Sequence, residues 1–114
     1  MYKRVMLGLM LVVVLPLAAS AQVTGVWQGN YGADYYIRQV GNEIWWLGEN
    51  DPVHPSFSNV AHGKIDGNLI ILSWGDVPKG GILSSGVLVL QVVSSRRLEA
   101  ILRTGGFGGS VWTR

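Results

Sequence analysis

Three carboxylates, Glu49, Asp51 and Asp76, are the side chains of this sequence most capable of chemistry. Paired acids hydrolyse glycosidic bonds when held at a controlled separation across a cleft. These three stand on segments that read as loops or strand ends, so nothing in the sequence fixes their spacing. Histidine adds little. His54 and His62 are the only two, and with one nearby acid they make a poor metal set. There is no cysteine, and a serine nucleophile such as Ser56 beside His54 lacks the Gly-x-Ser-x-Gly frame of hydrolases. The glycine-rich run 105–109 precedes a strand-like segment, whereas phosphate cradles open a helix. These residues argue against an enzyme, and no cofactor or metal is expected.

Binding is better provided for. Tyr35, Trp46, Asn59, Trp74, Asp76 and Phe107 combine stacking surface with a few polar groups, the composition of a small-molecule site. Tyr31, Glu49, Asp51, His54 and Lys79 belong to the same set of loops. Phe107, held between glycine pairs, reads as an exposed aromatic on a mobile loop, suited to act as a lid. A second set, Tyr36, Arg38 and Trp45, falls on the opposite face of its strands. There Arg38 opposite Trp45 allows a cation–π contact worth about 0.5–1 kcal/mol when exposed, and with Leu47 it forms a docking patch for a protein or a sugar.

The elements that must position these residues are strands. Beyond residue 21 the apolar residues alternate, or run in short blocks bounded by Gly, Asn, Asp and Ser, with no helical period. Eight strands are expected: 23–29, 34–40, 43–49, 57–66, 69–76, 86–93, 96–103 and 110–114. Their connections alternate between tight (Gly41-Asn42, Gly67-Asn68, Ser94-Ser95) and long (30–33, 50–56, 77–85, 104–109). In an up-and-down meander the tight turns gather at one end and the long loops at the other. The expected fold is therefore all-β, a small eight-stranded antiparallel up-and-down barrel with a sealed floor and an open rim.

Two hairpins can be read at residue level. A Gly41-Asn42 loop sets Arg38 opposite Trp45, Ile37 opposite Trp46 and Tyr35 opposite Gly48. Because side chains alternate, Tyr35, Ile37, Gln39, Ile44 and Trp46 face inward, and Tyr36, Arg38, Val40, Glu43, Trp45 and Leu47 outward. A Gly67-Asn68 loop pairs Ile65 with Ile70, Gly63 with Leu72, Ala61 with Trp74 and Asn59 with Asp76. Small opposite large is what a narrow interior needs. His62 then faces outward beside Ser73.

Residues 1–21 read as a secretory signal peptide cleaved after Ala21: Lys3 and Arg4, an apolar run from Val5 to Ala18, then Ala19-Ser20-Ala21. The run is shorter than the ~20 residues that span a bilayer, so membrane contact is expected only through the leader before cleavage. Of 114 residues, 93 remain, enough for one domain, 22–114. Without Lys3 and Arg4, seven basic residues face seven acidic ones. No basic stripe is left to follow a phosphate backbone, which excludes nucleic acid as the expected partner.

Gly25-Val26-Trp27 resembles the Gly-x-Trp that opens the first strand of lipocalin-like and avidin-like (calycin) barrels. That resemblance implies that Trp27 plugs one end of the barrel and that an arginine from a late strand, Arg103 or Arg114, lies across it. Further segments extend over nearly all of 22–114: Tyr35-Tyr36-Ile37-Arg38-Gln39, Trp45-Trp46-x-Gly48-Glu49, Phe57-x-Asn59-Val60, Trp74-x-Asp76-Val77-Pro78-x-Gly80 and Gly105-Gly106-Phe107-Gly108-Gly109. They are similar to a family of small exported bacterial proteins of uncharacterised function, which implies export and a single domain but no activity. The function expected is a non-enzymatic, periplasmic or extracellular barrel binding a small partly apolar molecule or sugar at its long-loop end. The alternative is a protein-interaction module, an inhibitor or envelope-associated factor, using Tyr36, Arg38 and Trp45.

Overall fold

The computed structural model describes residues 21–114; the expected leader, Ala21 apart, lies outside the described residues. Eight strands follow one another in a closed antiparallel barrel: β1 (Gly25–Gly29), β2 (Asp34–Val40), β3 (Glu43–Glu49), β4 (Ser58–Asp66), β5 (Leu69–Asp76), β6 (Ser85–Ser94), β7 (Arg97–Arg103) and β8 (Val111–Thr113). Each strand pairs with its sequence neighbours, and β8 returns to β1.

The tight turns fix the registers. Gly41 and Gly67 each have φ of +61°, and among the described residues only glycines have positive φ. A positive-φ glycine at the first loop position, followed by Asn with negative φ, is the sign pattern of a type II′ hairpin turn, whose twist matches that of the strands. Arg38 accordingly pairs with Trp45, and Ala61 with Trp74. The third turn differs from expectation by one residue. Ser94 pairs with Arg97, so Ser95 and Arg96 form the loop, held by Arg96 N–H donating to Ser94 Oγ (3.1 Å). β1 also starts later than expected. Residues 22–24 are joined to β2 through side chains instead of a backbone ladder: Val23 N donates to Gln39 Oε1 and Gln39 N to Thr24 Oγ1, both at 3.0 Å.

Following the paired residues round the barrel resolves the interior into layers. At the floor, Ile65, Ile70 and Leu90 pair in sequence. Above them run Ile44, Gly63, Leu72 and Leu88, then Ile37, Trp46, Ala61, Trp74 and Gly86. In these two rows Gly63 stands between Ile44 and Leu72, and Ala61 between Trp46 and Trp74, which lets indoles fill the axis without collision. The uppermost row is Tyr35, Gly48, Asn59 and Asp76. It carries an amide and a carboxylate, and it lies nearest the loops.

Closure depends on a short strand. β8 pairs with β1 at only two positions, Gln28 with Thr113 and Gly29 with Trp112. Side chains brace this seam at both ends. At the rim, Asn30 Oδ1 accepts from Ser110 N (3.0 Å) and Val111 N (3.3 Å), while its amide donates to Ser110 Oγ (3.0 Å). At the floor, Arg114 donates to the carbonyls of Ser95 (2.7 Å), Thr24 (2.9 Å) and Gln22 (3.0 Å). Its guanidinium carbon lies 4.2 Å from the centre of the Trp27 ring. Trp27 is wholly buried and donates to Val23 O (2.9 Å). Of the two arginines considered for the Trp27 contact, it is Arg114 that makes it; Arg103 reaches the opposite end.

Candidate functional site

The four long loops meet at one end, as the alternation of connections required, and they are cross-braced. Asn50 closes the β3–β4 loop on itself, donating to Ser56 Oγ (2.9 Å) and accepting from Ser56 N (3.0 Å). Asp51 Oδ1 accepts from the backbone N–H groups of Val53 (2.8 Å) and His54 (2.9 Å), which hold its carboxyl below the usual range. Ser56 O accepts from Gly81 N and Ile82 N, joining this loop to the β5–β6 loop. The same two loops are tied by Lys79 Nζ on Glu49 Oε1 (2.9 Å), and Glu49, buried, also accepts from Ser58 Oγ (3.2 Å). Arg103 Nη1 donates to the carbonyls of Phe107, Gly108 and Gly109 (3.0–3.4 Å), which curls the β7–β8 loop over the barrel mouth.

Between these loops lies a cavity of about 290 Å³. Its walls include the rings of Tyr31, Tyr35, Phe57, Trp74 and Phe107, together with Ile82; its polar groups include Asn59, Asp76 and Ser84. Tyr31 and Ile82 are exposed and form the outer lip, whereas Tyr35 and Asn59 are buried at the base. Five of the six residues expected at a ligand site, Tyr35, Asn59, Trp74, Asp76 and Phe107, line this one cavity. Trp46 does not. It lies one layer lower, and its indole N–H donates to Asn59 Oδ1 (2.8 Å), so it orients the amide that faces the cavity.

Phe107 also departs from expectation. It is buried against Trp74 (4.9 Å between centroids, 75° between planes), Trp112 and Trp46. The glycines that suggested a mobile tip instead let the chain dip inward: Gly105 has φ of +75°, and a Cβ there would overlap the Ser85 carbonyl. Phe107 is thus part of the cavity wall. Phe57, Ile82 and Ser84 were not expected in the lining. They reach it because the Ser56 carbonyl joins the two loops and the Asp76 carboxylate closes the β5–β6 loop, Asp76 Oδ2 accepting from Ser84 N (2.9 Å).

Tyr35 is the best-determined group at the base. Its ring passes over Gly48, its paired residue, and beside Gly29; a Cβ at either position would collide with it. Edge-on contacts with Trp46 (5.0 Å) and Trp112 (5.8 Å) complete the slot. Burial pushes its hydroxyl pKa up to about 12, with the neighbouring Asn59 amide and Trp112 indole opposing and the Asp76 charge adding to the rise. The Trp112 N–H is itself buried without a hydrogen-bond partner of conventional geometry.

This gives a pH prediction. The folded state holds the Tyr35 proton more tightly than the unfolded chain, whose tyrosine pKa is about 10. The stabilisation is whole below pH ~10 and is lost as pH rises toward 12. Urea unfolding between pH 8 and 12 should show a decline of up to about 3 kcal/mol, at ~1.4 kcal/mol per unit, that Tyr35→Phe reduces. An identical slope in the variant would mean that Tyr35 does not govern it.

The outward set is arranged differently from expectation. Trp45, 44% exposed, pairs with Arg38, yet among the described residues its ring partner is His62, stacked at 4.9 Å and 29°. His62 Nε2 lies 2.8 Å and Lys64 Nζ 2.6 Å from the Glu43 carboxylate, and Lys64 and then His62 hold that carboxyl below its usual range. Tyr36 does not join this cluster; it pairs with Val26 and Leu47, and Leu47 with Val60, in an exposed apolar row. Among the described residues no group of three or more His or acid side chains could hold a metal ion. No family model matches the chain, and neither a curated protein nor a solved structure does.

Proposed function

We propose that the protein is an exported, non-enzymatic barrel that takes up a small, partly apolar molecule or sugar through its looped end. One observation carries the reading: the interior row that holds Asn59 and Asp76 opens into a ring-walled cavity of about 290 Å³. That volume is at the lower end of the ~300–1,000 Å³ usual for ligand sites. The chemistry favours binding over turnover, because Glu49 is engaged with Lys79 and Asp51 with a turn of its own loop, which leaves Asp76 in the cavity without a second acid to work with. The calycin likeness belongs to the same reading. It draws on Gly25-Val26-Trp27 with Arg114 lying across the indole, and on the closed eight-strand meander. Export to a periplasm or the exterior is inferred from residues 1–21 alone.

The test is a ligand screen read by tryptophan fluorescence, since Trp74 lines the cavity. Against a hit from that screen, Asp76→Ala and Ile82→Lys should each weaken binding about tenfold, measured by calorimetry. Ile82 is half exposed, so its replacement leaves the barrel folded. Unchanged affinity in both variants would overturn the reading. The alternative, a protein-docking outer face, draws on the exposed Trp45–His62 stack. Cross-linking in the native envelope would favour it if a specific partner is lost on Trp45→Ala.

A further inference from the structure

We infer that the ligand of the rim cavity carries a positive charge, and that it is a small organic ammonium with an apolar or aromatic body. This rests on the cavity being a ligand site and adds the chemical class of its occupant. Asp76 is the only charged side chain in the lining. Its Oδ2 accepts one backbone N–H, from Ser84, and no cationic side chain among the described residues pairs with it. The cations nearest this end are engaged elsewhere: Lys79 with Glu49, and Arg103 with the carbonyls of 107–109.

Any molecule that fills the cavity strips water from this half-buried carboxylate. A neutral apolar ligand would leave a desolvated charge with one hydrogen bond, and a carboxylate burdened in that way is costly. An anionic ligand would add like-charge repulsion. An ammonium group reverses the sign of the term, because it replaces the lost water with an ion pair. The remaining walls favour the same choice. Tyr31, Tyr35, Phe57, Trp74 and Phe107 surround the space with rings, whose negative faces attract cations. Tyr35, in the same row as Asp76, supplies a hydroxyl oxygen that can accept a further ammonium hydrogen.

The test compares three probes of one shape: 2-phenylethylamine, 2-phenylethanol and 3-phenylpropanoate. Titrations of the full chain are followed by amide and indole NMR shifts and by calorimetry at pH 7. The amine should bind at least tenfold more tightly than the alcohol, and the carboxylate more weakly than either, with the shifts centred on Trp74, Asp76 and Phe107. Asp76→Asn keeps an oxygen for Ser84 N–H and removes the charge, so it should bring amine and alcohol within about twofold of each other. If the alcohol binds as well as the amine in the unaltered protein, the ammonium assignment fails while the cavity remains a ligand site. If none of the three moves those resonances, the assignment and the reading beneath it fall together.

Discussion

Gly63→Ala should lower the unfolding free energy by about 3 kcal/mol, at the upper end of the ~1–3 kcal/mol usual for overpacking. Gly63 sits in the interior row between Ile44 and Leu72. A Cβ at this position would overlap the carbonyl oxygen of Ile71 on the paired strand. A flexible side chain could rotate away, but a backbone carbonyl cannot move without disturbing the ladder. β4 is hydrogen-bonded on both sides, to β3 and β5, so the strain has no free edge to escape through. Gly81→Ala is the control, because nothing lies within 4 Å of its added Cβ. For a domain of this size the difference should appear as a fall of roughly 12 °C or more in Tm. Equal midpoints for the two variants would contradict the packing described for the second interior row.

Arg114→Ala should cost about 2 kcal/mol and shift the tryptophan emission to the red. The guanidinium joins the 22–24 segment, the β6–β7 turn and the Trp27 ring. Each hydrogen bond from a charged donor is worth ~1.5–3 kcal/mol when shielded, but Arg114 is largely solvated, so the sum is strongly discounted. Lysine should not rescue the loss, because a point charge cannot reproduce a planar fork reaching three carbonyls. Amide exchange at Gln28 and Gly29 should quicken in the same variant. If Arg114→Lys is as stable as the unaltered protein, closure of the floor needs only charge, not the fork.

The strand order, the inward and outward faces and two hairpin registers were legible because each depends on neighbours in sequence. Gly41 and Gly67 mark their turns through conformations that other residues rarely adopt, and the period-two pattern then assigns every side chain to a face. The gathering of the cavity residues followed from the same geometry. What stayed hidden depends on distant groups meeting. Asn30 gives no local sign that its amide will brace residues 110 and 111, eighty positions away. Lys79 and Glu49 look like separate solvated loop charges until two loops fold together. Phe107 misled for a related reason: glycine on both sides permits exposure, but it equally permits the chain to turn inward, and the apolar mouth of the barrel decides between them. At Trp45 the geometry of pairing was right, yet a flat imidazole from the third strand of that sheet region took the stacking place expected for Arg38.

The placement of Asn59 and Asp76 in the uppermost interior row has a consequence for how such a molecule can diversify. Foundation and receptacle are separate: Ile65, Ile70, Leu72, Leu88 and Leu90 hold the barrel together without touching the cavity, whereas Asn59, Asp76, Ile82 and Ser84 set its chemistry. Exchange at Ile82 or Ser84 should change the cavity at little risk to folding, whereas Asn59 also holds the buried Trp46 indole. On the proposed reading, one scaffold could thus be retuned to a succession of cargoes by altering a handful of side chains at its mouth.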